Sequence, residues 1–295
     1  MKILNFGSCN LDFVYLVEHI VRPGETIETK ELRRYPGGKG LNQSIALSRA
    51  GARVYHAGCV GGDDDMLRKL MQENGVNISH IRETEERTGQ AIIQVEESGE
   101  NCIFLYHGAN FAVSREQIDA VFSSFEPGDV LLLQNEISEI PYLVHKGKEL
   151  GFQIFLNPSP FNAVMREIDL HQVDYLILNQ TEAEDFLGEN FLEKVKVQYP
   201  ELHVVLTLGK EGSIYQYKEE KIRQKAYPVT AVDTTAAGDT FTGYYIAKLF
   251  ECGPAAAMNY ASAAAGLAAS RKGAAPSIPA LKEVEQFIKK EKTPS

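Results

Sequence analysis

Along the chain, short apolar runs alternate with stretches whose apolar residues recur every three or four positions. The runs 3–8, 53–60, 130–134, 153–157, 175–178 and 204–208 predict strands. The periodic stretches 39–50, 66–74, 115–123, 138–150, 181–187, 236–250, 254–270 and 279–290 predict helices. Near-continuous apolar strands separated by helices bury both faces of a sheet. The pattern therefore predicts an α/β chain in three layers (α/β/α), with helices on either side of a mostly parallel central sheet. Gly51, Gly75 and Gly151 stand where helices should stop, because glycine closes a helix in the left-handed conformation without strain.

Two regions break the alternation. Residues 13–35 read as two strands about Pro23-Gly24, and 89–106 as a hairpin turning at Glu97-Ser-Gly-Glu100. They are expected to pair into a small β-sheet lid beside the large sheet, able to exclude water from a reactive group. The expected division is 1–12, 36–88 and 107–295 in the α/β unit, and 13–35 and 89–106 in the lid.

Composition narrows the function classes. A chain of 295 residues, 44% hydrophobic, is long enough to bury a large core. A net charge of -10 and the absence of a basic stripe argue against a nucleic-acid partner. No apolar run approaches the ~18 residues of a membrane span, and Asn5, Gly7 and Asn10 interrupt the first apolar run, which reads as strand and turn rather than a signal segment. Cys9, Cys59, Cys102 and Cys252 are widely spaced, as suits free thiols in a cytoplasmic protein. The seven histidines are scattered and show no zinc-binding spacing.

Chemistry concentrates at Asp233-Thr-Thr-Ala-Ala-Gly-Asp-Thr-Phe-Thr-Gly243. Ala236, Ala237 and Gly238 stand at a predicted helix start, where backbone N–H groups lack intrahelical acceptors and the helix dipole adds partial positive charge. Small residues leave those donors open to an anion. Asp239, a carboxylate beside an anion site, suits a base that takes the proton of a hydroxyl attacking phosphorus. The same residue types also make an ordinary helix cap.

Pro36-Gly-Gly-Lys-Gly-Leu-Asn42 is dense in glycine and leads into a helix, yet lacks the Ser or Thr that follows the lysine of a phosphate loop. Its glycines let backbone approach a small polar ligand, to which Lys39 and Asn42 offer donors. Asn10 and Asp12 follow the first strand at its carboxyl end, where open α/β sheets bind ligands. Alternate residues of an extended chain point together, so a carboxylate at Asp12 suits two neighbouring sugar hydroxyls; the plain alternative is a turn aspartate. Asn179 ends a strand and Glu182 falls in the first turn of the next helix. Oxygen ligands beside a triphosphate suit hydrated Mg²⁺, although Thr181 and Glu184 also fit a helix cap. Thr207-Leu-Gly-Lys-Glu-Gly212 reads equally as a bed for nucleotide phosphates or as a turn between strands.

Taken in order, these pieces resemble the ribokinase branch of the PfkB-type carbohydrate kinases over nearly the whole chain. The resemblance is carried by Gly7-Ser-Cys-Asn-Leu-Asp12, Pro23-Gly-Glu-Thr26, Gly37-Gly-Lys-Gly-Leu-Asn-Gln43, Gly108-Ala-Asn110, Leu156-Asn-Pro158, Asn179-Gln-Thr-Glu-Ala-Glu184, Thr207-Leu-Gly209, the 233–243 loop and Arg271-Lys-Gly-Ala-Ala-Pro-Ser277. It implies a ribokinase-like fold and transfer of the γ-phosphoryl group of ATP to the primary hydroxyl of a pentose, D-ribose giving D-ribose 5-phosphate. Deoxyribose, another sugar or a nucleoside is the alternative acceptor.

The resemblance also implies residue roles. Asp239 would be the base, with the amides of Ala236, Ala237 and Gly238 as anion hole. Asn10, Asp12, Gly38, Lys39, Asn42 and Glu136 would hold the pentose. Asn179, Thr207, Gly209, Gly212, Gly238 and Ser262 would lie along the nucleotide, and Asn179 and Glu182 would organise Mg²⁺ partly through water. K⁺, an activating cation, would be bound by Asp233, Thr235, Ala268, Arg271, Gly273 and Ser277, several through backbone carbonyls. A homodimer pairing through the lid is implied as well. Ser262 stands where a histidine against adenine is expected, and Pro36 and Phe104 depart from the pattern beside the sugar site.

Overall fold

The computed structural model describes residues 1–62 and 65–292. In chain order its first half comprises β1 (Ile3–Phe6), β2 (Asn10–Leu16), β3 (Glu31–Gly37), α1 (Lys39–Arg49), β4 (Val54–Gly61), α2 (Met66–Glu73), β5 (Asn77–Thr84), β6 (Gly89–Val95), β7 (Asn101–Tyr106), α3 (Arg115–Phe122) and β8 (Val130–Gln134). The second half adds α4 (Ile140–Glu149), β9 (Gln153–Asn157), β10 (Tyr175–Asn179), α5 (Gln180–Leu187), α6 (Phe191–Gln198), β11 (His203–Thr207), β12 (Ser213–Tyr217), β13 (Glu220–Gln224), α7 (Ala237–Ala269) and α8 (Leu281–Lys292).

Among these residues the large sheet runs β13-β12-β11-β10-β9-β8-β1-β4-β5. It is parallel from β5 through β11, and only the edge strands β12 and β13 are antiparallel. β8 (Val-Leu-Leu-Leu-Gln) is buried along its whole length, as a central parallel strand covered on both faces must be. Alternation splits the apolar side chains between two cores. Ile3, Val130, Leu132, Phe155, Ile177 and Val205 pack with α1 and α7. Leu4, Phe6, Leu131, Leu133, Leu156 and Leu206 pack on the other face with α3 to α6.

The expected α/β/α architecture is present. Three strands were not anticipated: β5 and β13 lie at the sheet edges, where one-sided or partial burial tolerates polar residues such as those of Asn-Ile-Ser-His-Ile-Arg-Glu-Thr84, and β12 is the buried strand between β11 and β13. α7 breaks where two helices were expected. Gly253 adopts φ 77 and ψ 171 inside it, just before Pro254, which cannot donate to the preceding turn. Among the described residues, no helix is long and apolar enough to cross a membrane.

A second sheet, in the order β3-β2-β6-β7, stands apart from the first. Its first hairpin reaches further than expected from sequence: β2 opens at Asn10 and β3 ends at Gly37, while β6 and β7 fall within the expected 89–106. β2 pairs antiparallel with β3 and parallel with β6, and carries Asp12 opposite Tyr35 and Ala91. Its outer strand β7 is exposed throughout, with Ile103 at 52% and Phe104 at 56% exposure.

Candidate active site

The start of α7 carries the expected base. Ala236 caps this helix at φ 59, a left-handed conformation unusual for a residue with a Cβ and found where surroundings dictate the loop. The Ala237 amide donates to the Thr234 carbonyl at 3.2 Å, and the Thr240 amide to the Ala236 carbonyl at 2.8 Å. The Gly238 and Asp239 amides have no protein acceptor among the described residues. The open donors at this helix start are thus centred on Gly238.

The Asp239 side chain is buried, at 6% exposure. Its Oδ2 accepts from Asn42 Nδ2 at 3.2 Å and its Oδ1 from Gln43 Nε2 at 2.9 Å. Lys39 Nζ stands 3.8 Å from Oδ1. Helix packing sets this geometry. A Cβ on Gly243, one turn beyond Asp239, would sit 2.4 Å from Ala46 Cβ and 2.8 Å from Leu47 N, so α7 and α1 cross nearly backbone to backbone. Ala46 is one turn beyond Asn42 and Gln43, and the crossing therefore holds both amides against the carboxylate. The start of α1 is fixed in turn by Gly40, where a Cβ would lie 2.3 Å from Ser8 N.

Lys39 joins the charges of the site. Burial opposes its charge, but the carboxylates of Asp239, Glu136 and Glu182 outweigh that and hold its pKa above the ordinary lysine value. Glu136 accepts from the Ser8 hydroxyl and from the Lys39 amide at 3.0 Å. Asp12 lies against Gly37, where a Cβ would come within 2.1 Å of its Oδ2. Burial, with a further contribution from the Glu136 charge, pushes the Asp12 carboxyl up to about 7. Asn10 is oriented from behind: Asn110 Nδ2 donates to Asn10 Oδ1 at 2.7 Å, which turns the Asn10 amino group away from Asn110. Asn42 Oδ1 is buried without a hydrogen-bond partner among the described residues. Asn10, Asp12, Gly38, Lys39, Asn42 and Glu136 thus gather where the lid joins α1.

Asn179 and Glu182 form a reciprocal capping box at the start of α5. Asn179 Oδ1 accepts from the Glu182 amide at 2.9 Å, and Glu182 Oε2 accepts from the Asn179 amide at 3.0 Å. The cap uses the very residues expected at the metal, not Thr181 and Glu184. Among the described residues no cluster of three His, Cys, Asp or Glu side chains could hold a metal alone. A divalent ion held mainly by water and phosphate fits such a site, because Glu182 keeps a second oxygen and its charge reaches Lys39.

Thr207 ends β11 opposite Asn179 in the neighbouring strand. Gly209 and Gly212 bound the turn between β11 and β12, and a Cβ on Gly212 would strike the Gln224 carbonyl at 2.0 Å. Ser262 is buried and donates to the Lys225 carbonyl at 3.2 Å, tying α7 to the segment after β13. A cleft of about 530 Å³ over α5 and α6, with Gln180, Phe191, Leu206 and Lys221 in its walls, contains none of the residues named for sugar or phosphate.

The loop before α7 meets the turn after it. Asp233 Oδ1 accepts from the Thr235 amide and Oδ2 from the Gly273 amide, both at 2.9 Å. Burial works against the Asp233 charge, but these donors outweigh it and hold its carboxyl below the usual value. The Val232 and Asp233 amides both reach the Ala269 carbonyl. The Arg271 guanidinium points away to Glu283 at 2.7 Å, leaving its main chain beside the loop, and Ser277 donates to the Ala274 carbonyl. Both Asp233 oxygens are thus engaged by main-chain N–H donors, and the Ala268 carbonyl accepts from the Arg271 amide at 3.0 Å.

Sequence reasoning missed the amides behind Asp239. Gln43 touches the carboxylate directly, and Gln134, Asn5 and Asn157 stand behind it, all buried. Their signal was available: each is a polar residue in or at the end of an otherwise apolar strand or helix face. Beyond Asn5, Ser44 Oγ lies 2.8 Å from Nδ1 of His56, whose pKa burial pushes down to about 4.

The pattern that defines the pfkB family of carbohydrate kinases matches residues 1–281. A ribokinase of Haemophilus influenzae is 33% identical over 296 residues, covering 96% of either chain. A ribokinase structure from Thermotoga maritima superposes with a TM-score of 0.85 at 34% identity, covering 98% of this chain and 99% of that one. An Arabidopsis thaliana ribokinase complexed with ribose and ATP superposes with a TM-score of 0.85 at 29% identity, covering 98% of each.

Proposed function

The chain belongs to the pfkB family of carbohydrate kinases, and from that premise we propose that it transfers the γ-phosphoryl group of ATP to the primary hydroxyl of D-ribose, giving D-ribose 5-phosphate. One observation carries the residue assignment: a buried carboxylate, Asp239, sits between donors on α1 and the open amides at the start of α7.

In this reading the pentose lies among Asn10, Asp12, Gly38, Lys39, Asn42 and Glu136. Asp12 and Glu136 accept its hydroxyls, and Lys39 and Asn42 bind from the other side. Asp239 takes the proton of the primary hydroxyl as its oxygen attacks the γ-phosphorus. The amide of Gly238, with those of Ala236 and Ala237 around it, meets phosphate charge, the kind of preorganised donor set that stabilises charge developing in a transition state. Thr207, Gly209 and Gly212 flank the nucleotide, and Ser262 lies nearer its base. Asn179 and Glu182 would hold Mg²⁺ through water, and that ion would neutralise phosphate charge. K⁺ would sit among Asp233, Thr235, Ala268, Arg271, Gly273 and Ser277 and stiffen the loop that ends at Ala236. The exposed apolar strand β7 supports a homodimer joined through the lid, and the chain would act in the cytoplasm.

The test is ADP release in a coupled assay with ATP and Mg²⁺ against D-ribose, 2-deoxyribose and a nucleoside. D-Ribose should give the highest kcat/KM. Asp239→Asn should lower kcat by roughly 10²–10⁴, the usual worth of a positioned base, while ribose still binds. Near-normal turnover in that variant removes Asp239 from the chemistry, and preference for another acceptor removes ribose.

A further inference from the structure

The amides behind Asp239 have a fixed polarity, set from two main-chain carbonyls that can only accept. Asn5 Nδ2 donates to the Gly40 carbonyl at 2.7 Å, so Asn5 Oδ1 must face the other way, where it accepts from Gln134 Nε2 at 2.9 Å. Gln134 Nε2 gives its other hydrogen to Gln43 Oε1 at 2.7 Å. Independently, Asn157 Nδ2 donates to the Ile177 carbonyl at 2.8 Å, which leaves Asn157 Oδ1 to accept from Gln43 Nε2 at 2.9 Å. Both constraints turn Gln43 the same way, and its remaining N–H must point at Asp239 Oδ1, 2.9 Å away. Rotating any one amide by half a turn would oppose like atoms somewhere along the line.

The same bonds carry a cost. With both Nε2 hydrogens committed, Gln134 Oε1 is left buried without a donor among the described residues. A buried, unpaired acceptor is costly and uncommon. Its retention here goes with a polarity whose one product is an N–H directed at the carboxylate.

We infer that Gln43 is a positioning residue for phosphoryl transfer. It pins Oδ1 of Asp239 and so assigns Oδ2, held among the described residues only by the longer 3.2 Å contact from Asn42, as the atom that takes the proton. In the step itself the sugar hydroxyl oxygen bonds to the γ-phosphorus, and its proton passes to Asp239 Oδ2. The bond from the γ-phosphorus to the β–γ bridging oxygen breaks with its electron pair staying on ADP. Gln43 neither gains nor loses a proton. This inference rests on the reading of Asp239 as base.

The experiment is a double-mutant cycle on full-length enzyme, with Gln43→Leu and Asp239→Asn alone and together. Gln43→Leu should lower kcat about 10–100-fold while KM for ribose and ATP stays within about threefold, the pattern of an interaction that matters in the transition state. In the Asp239→Asn background the same change should cost nothing further, because coupled residues are non-additive. A merely structural role would raise KM and multiply the losses. Should Gln43→Leu fail to fold, Gln134→Met removes the group that orients Gln43 and should lower kcat about 3–10-fold with KM unchanged. Folded Gln43→Leu, or in its place folded Gln134→Met, with wild-type turnover overturns the inference, and so does multiplicative loss in the double variant. Full turnover by Asp239→Asn alone overturns the base reading together with this one. An inactive Asp239→Asn beside a normal Gln43→Leu removes only the role of Gln43.

Discussion

Asp12 is the residue whose chemistry and stability should pull in opposite directions. It sits on the lid strand against Gly37, with no hydrogen-bond donor among the described residues. Burial and then the Glu136 charge raise its carboxyl from 3.8 to about 7. At 1.36 kcal/mol per unit, that displacement of about 3 units corresponds to at most about 4 kcal/mol disfavouring the ionised group in the folded protein. The folded value lies above the unfolded one, so the stabilising contribution is complete below pH 3.8 and is lost as pH rises to about 7. Asp12→Asn removes the penalty. The variant should match the wild type only below about pH 3.8, gain on it steadily as pH rises, and exceed it by about 1–4 kcal/mol at pH 8.5, read by urea denaturation.

Ligand binding should show the complementary sign. A pentose that donates hydroxyls to Asp12 favours the carboxylate, so binding releases a proton and affinity grows with pH. With a free-enzyme value of about 7, ribose should bind about tenfold more weakly at pH 6 than at pH 8. Titration calorimetry in two buffers of different ionisation enthalpy at pH 7 should detect release of about half a proton. Asp12→Asn should bind ribose poorly and lose this pH dependence. A wild-type affinity flat from pH 6 to 8, or a variant less stable than the parent at pH 8.5, would refute the argument.

Three further outcomes follow from other parts of the molecule. Gly243→Ala places a methyl 2.4 Å from Ala46 Cβ and should cost about 1–3 kcal/mol in urea denaturation, with kcat falling as α1 and α7 separate; a variant as stable as its parent would deny the close crossing. Replacing Ile103 and Phe104 together by lysine should give a monomer in light scattering, and a wild type already monomeric at micromolar concentration would dismiss the lid as an interface. Exchanging K⁺ for Na⁺ should lower kcat, and Asp233→Asn should abolish the difference between the two ions; equal rates in both salts for the wild type would leave the 233–277 cluster a purely structural tie.

The central strands and most helices were legible in the sequence because a parallel strand buried on both faces is apolar at every position, as in Val130–Gln134. The edges were not, because β5 and β13 lie half in solvent and carry as many polar residues as a loop. Asp239 and its small-residue approach were legible as a motif within one short segment. The set of donors around Asp239 was not, since Gln43, Gln134, Asn5 and Asn157 come from four elements and meet only when the sheet is assembled.

Strand parity would nevertheless have exposed the row to which three of those four belong. Asn5 alternates with Ile3, Gln134 with Leu132, Asn157 with Phe155, Asn179 with Ile177 and Thr207 with Val205, and each of those apolar partners lies in the core under α1 and α7. Five adjacent strands therefore each turn a polar side chain to the same face, the last four at their carboxyl ends. In register, Gln134 stands opposite Asn157 and Asn179 opposite Thr207. A single amide on an apolar strand reads as a strand end. Four amides and the Thr207 hydroxyl on one parity amount to a polar floor, which only a polar ligand or other polar side chains can satisfy. At β8 and β9 that floor meets Gln43 and, through it, Asp239, whereas towards β10 and β11 it runs to Asn179 and Thr207. Sugar chemistry and nucleotide phosphates would thus occupy the two ends of one polar row across the sheet, which steps by two residues between Asn157 and Asn179.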